Sequence, residues 1–176
     1  DRYRNNFEVT LHEDLISLPF KWAKPKIVFV NSMSDLFHED VPLSFIQKVF
    51  STMNRCPQHV FQILTKRSQR LLEISHELSW SSNIWMGVSV ENEKVQDRIV
   101  DLSQVPAKVR FLSCEPLIGA LDHLPLNGIH WVIVGGESGP GARPMKSEWV
   151  DSILKQCQEQ DVSFFFKQWG GVRKGR

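Results

Sequence analysis

Three glutamates stand just beyond apolar, β-branched runs. Glu91, Glu115 and Glu137 follow the runs 84–90, 109–113 and 131–134 within one to three residues. Carboxylates placed close together can divide acid and base work, because one charge raises the pKa of its neighbour. Lys66, Arg67, Arg143 and Lys167 occur in similar positions, where they could pair with the glutamates or bind a carboxylate or phosphate of a ligand. Asn31, Ser32, Ser89, Asn92, Ser138 and Gln168 are suited to orienting hydroxyls and amides by hydrogen bonds. A polar residue at one strand end is ordinary, since strand ends meet solvent. Six polar ends converging on one rim make a candidate site, with Glu91, Glu115 and Glu137 as its catalytic candidates.

Other chemistries find less support. Gly135-Gly136-Glu137-Ser138-Gly139-Pro140-Gly141 permits close backbone approach, either to a ligand or within a tight turn. It fits neither GxGxxG nor the phosphate-binding loop, which needs a following Gly-Lys-Ser/Thr. Ser89 and Ser138 lack a nucleophile-elbow context, and Cys114 reads as a small buried hydrophobe. The six histidines show no metal-ligand spacing; only His38, soon after a strand end, merits a test. Cys56, Cys114 and Cys157 are too far apart in sequence for a CxxC site, and an odd count argues against a disulfide framework. No metal ligands are therefore assigned. Trp169, beside Lys167 and Gln168, could stack on a planar ligand.

The elements that must carry these residues follow from periodicity. Six apolar runs begin at residues 26, 59, 84, 109, 131 and 163, and their near-continuous hydrophobicity predicts strands buried on both faces. Between them the period shifts to that of a helix, with stripes at Leu43/Ile46/Phe50/Met53, Leu71/Ile74/Leu78, Val95/Ile99/Leu102 and Trp149/Val150/Ile153/Leu154/Cys157. Asp40 before Pro42 and Ser147 before Glu148 are expected helix starts. The stretch 116–130 has two prolines and little period, so that crossover is expected to be irregular. Phe7–Leu11 alternates like a short strand. The fold class is α/β, and an incomplete (β/α) barrel of about six parallel strands fits better than a closed eight-stranded barrel or a doubly wound sheet. The expected first strand of such a barrel lies before Asp1.

Composition sets wide bounds. At 176 residues, with 41% hydrophobic and 23% charged, the chain is expected to be one soluble domain covering 1–176. A net charge of +1 gives no basic field to indicate nucleic acid, and no apolar run is long enough to span a membrane. The basic tail 167–176 reads as a solvated end, and the cysteine usage as that of a reducing cytoplasm.

Six blocks in order resemble a known family: Val30–His38, Leu64–Arg67, Gly87–Asn92, Arg110–Leu117, Gly135–Pro144 and Phe165–Gly170. Together they resemble the phage gene-product-37/68 family, an uncharacterised family of bacteria and phages. The resemblance implies a radical S-adenosylmethionine-like partial barrel, in which three cysteines near the amino terminus hold a [4Fe–4S] cluster. No such triad occurs here, so the family pattern puts it before Asp1, and this chain by itself is expected to be inactive. No cofactor is then held wholly within the chain, while S-adenosylmethionine and the cluster are implied for the intact family member. The rim residues named above would contact that cofactor or an unknown substrate. A hydrolase using two rim glutamates and a non-catalytic binding barrel are the alternatives.

Overall fold

The computed structural model describes residues 8–172. Its sheet has six strands: β1 (Ile27–Val30), β2 (Val60–Thr65), β3 (Ile84–Ser89), β4 (Val109–Cys114), β5 (Trp131–Gly135) and β6 (Ser163–Gln168). Every neighbouring pair is parallel, and the spatial order is β1-β2-β3-β4-β5-β6. A doubly wound sheet would reverse direction at a switch point. This order never reverses, and the sheet curls into a half-barrel, an incomplete (β/α) barrel.

Four helices supply the crossovers: α1 (Leu43–Asn54), α2 (Ser68–Ile74), α3 (Asp97–Ser103) and α4 (Ser147–Glu159). Pro42 immediately precedes α1, and Ser147 is the first residue of α4, with Lys146 before it. Between β4 and β5 the chain has no helix, in keeping with Pro116 and Pro125 in that stretch. Residues 8–11 form no strand, and Phe7 lies outside the described residues. Alternation over so few residues cannot hold a strand without a partner edge.

Burial separates the two faces of the sheet. Strand side chains alternate, so one set points to the helices and the other into the concavity. Phe61, Ile63, Ile84, Met86, Val88, Leu112, Val132 and Val134 join Ile46, Phe50, Ile99, Leu102 and Ile153 in one core. Here the expectation of burial on both faces is corrected. It holds for most of β3 and β4, but the edge strands alternate, leaving Ile27 and Phe29 of β1 and Phe165 of β6 exposed. The helices cover only one side of the curl. Among the described residues, no helix is long and apolar enough to cross a membrane.

The register stacks the concave side chains in rows. Leu64, Gly87, Phe111 and Trp131 form one row; Ser89, Ser113, Ile133 and Phe165 form the next toward the carboxyl ends. Phe111 is buried but lies outside the helix-side core. Its ring lies over Gly87, where an added Cβ would come within 2.4 Å of it. It also tilts against Trp131 at 5.8 Å between centroids, and Trp131 contacts Trp85 and Phe165. The inner wall is therefore aromatic.

Candidate functional site

The carboxyl ends of the strands converge as the sequence predicts, and the ion pairs there follow from which face each residue takes. Lys66, Glu91, Glu115 and Lys167 each lie one step beyond a helix-facing residue, which turns them to the concave side. Glu91 accepts an ion pair from Lys66 on the β2 end and another from Arg98 Nη1 of α3 at 3.1 Å. The same Arg98 nitrogen donates to the Ser89 carbonyl at 2.8 Å, fixing the end of β3 to α3. Glu115 receives Lys167 Nζ at 2.8 and 2.9 Å. That pair reaches across β5 because Gly135 lies between: a Cβ there would sit 3.2 Å from the Glu115 carboxylate.

Arg143 closes the third pair. It donates from Nε and Nη2 to the two oxygens of Glu137, each at 2.8 Å, and its backbone N–H adds a bond at 2.9 Å. The bidentate fork is the geometry in which a guanidinium binds a carboxylate most specifically. Arg143's bonds hold the Glu137 carboxyl down at about 2. Burial pushes the Glu91 carboxyl up, but Lys66, backbone hydrogen bonding and Arg98 outweigh it, and the net direction is down. A glycosidase pair needs one carboxyl protonated near neutrality. Each of the three rim glutamates is instead locked to a lysine or arginine, which disfavours the hydrolase alternative.

Asp35 positions Lys66. One of its oxygens accepts from Phe37 N–H and Thr65 Oγ1 at 2.9 and 2.7 Å; the other accepts from Lys66 N–H and Arg67 Nη1 at 3.1 Å each. The loop after β1 thus clamps the loop after β2, and the Lys66 side chain is left to reach β3. Arg67 also pairs with Glu39 at 3.0 Å, and His38 takes an N–H from Asp40 at 3.2 Å, a local turn contact.

The remaining predicted residues divide. Gln168 Nε2 donates to Ser138 Oγ at 3.0 Å, so these two meet. Asn92 accepts from Lys94 N–H at 3.0 Å, capping the short turn before α3. Asn31 (φ 59°) and Ser32 are exposed in the loop after β1 and are not drawn into the ion pairs. The glycine run is explained by its own chain. A Cβ on Gly136 would meet the Trp169 carbonyl oxygen at 1.8 Å, and Gly136 N–H bonds Gln168 O at 2.9 Å. Gly171 N–H returns to Glu137 O at 2.7 Å. Two backbones cross there, and only glycine allows it.

Sequence reasoning missed Arg98 and Ser113 as site residues, and left Asp35 without a role. Arg98 follows Glu91 by seven residues, two helical turns in sequence, but an intervening turn hides the spacing. Ser113 emerges only from the register that puts it beside Ser89.

Metal and cluster chemistry find no donor set among the described residues, where no group of three or more His, Cys, Asp or Glu could hold a metal ion. Cys56, Cys114 and Cys157 are free and buried, and burial pushes all three thiols up, Cys157 to about 11. Thiols held neutral in a core are unfit to ligate a [4Fe–4S] cluster.

No curated protein and no solved structure matches this chain. One family does, described as Protein of unknown function (DUF5131), whose match covers residues 2–176, and the chain belongs to that family.

Proposed function

We propose that the carboxyl-end rim binds S-adenosylmethionine and that the chain is the cofactor-binding barrel of an enzyme. The observation that carries this reading is the set of ion pairs, Lys66–Glu91–Arg98, Glu115–Lys167 and Glu137–Arg143, on one rim of a parallel half-barrel. Such a rim offers carboxylates to an ammonium, sulfonium or ribose hydroxyl and cations to a carboxylate. Its cations stay accessible, with the Lys66, Lys167 and Arg143 side chains each half exposed. The motif blocks, similar to those of the phage gene-product-37/68 family, support the same reading, as do three free thiols for a reducing cytoplasmic setting. The cluster that accompanies this cofactor in radical enzymes does not fit the buried cysteines present.

Calorimetric titration of the chain with S-adenosylmethionine tests the reading. One saturable site is expected, weakened about tenfold in Glu115→Gln and in Lys167→Gln, the loss typical of one charge-assisted hydrogen bond. Absence of saturable heat, or equal affinity in both variants, would overturn it.

A further inference from the structure

Beneath the rim, the concave wall carries polar side chains without a hydrogen-bond partner among the described residues. Ser89 and Ser113 lie opposite one another in register and are only 3% and 5% exposed. Neither hydroxyl makes a hydrogen bond among the described residues, and both belong to the row that faces the concavity. Gln62, half-buried on the same face, also makes no side-chain hydrogen bond among the described residues. Around these groups the wall is aromatic: Trp131 stands 6.4 Å from Trp85 and 6.3 Å from Phe165 between ring centroids. The wall side chains below the rim row carry no charge.

We propose that this wall is the substrate site and that it takes a neutral planar heteroaromatic ring, the base of a free nucleoside. A hydrocarbon would cover Ser89, Ser113 and Gln62 and leave their polar atoms without partners. An anionic ligand would find the nearest cation, Lys66 one residue past the Thr65–Val88 register pair, already paired with Glu91. A flat ring edged with donors and acceptors satisfies both the hydroxyls and the amide while stacking on the indoles. A nucleic-acid strand fits less well, because carboxylates interleave with the cations above the wall and would repel a row of phosphates. The inference rests on the rim reading only in taking the rim as the reacting end, with the substrate lying below it.

Tryptophan fluorescence can test it, since Trp85 and Trp131 form the wall. The intact chain is titrated separately with adenosine, guanosine, cytidine and uridine, with and without saturating S-adenosylmethionine. At least one nucleoside is expected to give saturable quenching that persists with the cofactor present. Its affinity should fall about tenfold in Ser113→Ala and in Gln62→Leu, each checked for a wild-type circular-dichroism melt. The proposal is overturned by no saturation with any nucleoside, by unchanged affinity in both variants, or by equal binding of cyclohexanol. It is also overturned if single-stranded DNA binds more tightly than any nucleoside, or if S-adenosylmethionine displaces the nucleoside. Nucleoside binding without any cofactor heat would sink the rim reading alone; cofactor heat without nucleoside binding would sink this one alone.

Discussion

The two faces of this one sheet are built to different rules. Toward the helices, aliphatic side chains and Phe61 close a continuous core with Ile46, Phe50, Ile99 and Ile153. Toward the concavity, large aromatics sit beside hydroxyls that have no hydrogen-bond partner among the described residues, and the edge residues Phe29 and Phe165 are 46% and 50% exposed. The first face holds the strands in place and the second is left with contacts to make. A folding core and a binding wall can thus share the same strands, because alternate residues answer to different demands.

Truncations on the two faces should separate most. Phe61→Ala is expected to cost about 3–5 kcal/mol, as for a fully buried ring, whereas Phe165→Ala should cost less than about 1 kcal/mol. Urea unfolding followed by circular dichroism compares them, and equal losses would mean the concave face is as much core as its opposite. A smaller effect probes where the wall is tightly packed. Gly87→Ala should cost about 1–3 kcal/mol by driving a methyl into the Phe111 ring. Adding Phe111→Leu should recover part of that loss; a double variant no better than the single one would show that the ring is not the obstacle.

The least effect comes from the charges at the top of the wall. Glu91→Gln is expected to cost about 1–2 kcal/mol at neutral pH, leaving Arg98 without its carboxylate. Glu91 titrates below its ordinary value of 4.5 when folded. Its contribution is therefore complete above that value and is lost as pH falls through the lowered one. Stability of Glu91→Gln should accordingly fall less steeply than wild type as pH drops from 4.5. The more exposed Glu137–Arg143 pair is screened by solvent, so Glu137→Gln should move the unfolding midpoint less than Glu91→Gln does. Urea midpoints across that acid range check both, and a wild-type slope in Glu91→Gln would refute the assignment.

Much of the fold was legible because strands of this kind announce themselves locally. Each of the six apolar runs became a strand within a residue or two, and the proline-bearing stretch 116–130 became the irregular crossover. The convergence of Lys66, Glu91, Glu115 and Lys167 was legible for a related reason: strand ends in a parallel sheet share one rim. What stayed hidden was pairing across distance. Glu115 meets Lys167 some fifty residues away, across a glycine whose smallness matters only once β5 lies between them. Likewise Ser113 is an ordinary strand residue until the register sets it beside Ser89. Phe7–Leu11 misled in the opposite sense, since local alternation says nothing about whether a partner edge exists.

The unbroken strand order also bears on how the chain finds its shape. Each strand pairs only with its neighbours in sequence, and successive strands begin 22 to 33 residues apart. Loop-closure entropy grows only with the logarithm of length, so these five closures differ by just a few tenths of a kcal/mol. No crossover is the hard one. A closed barrel must bring its last strand back to its first across the whole chain, and this sheet, with β1 and β6 both at its edges, assembles without that long-range step.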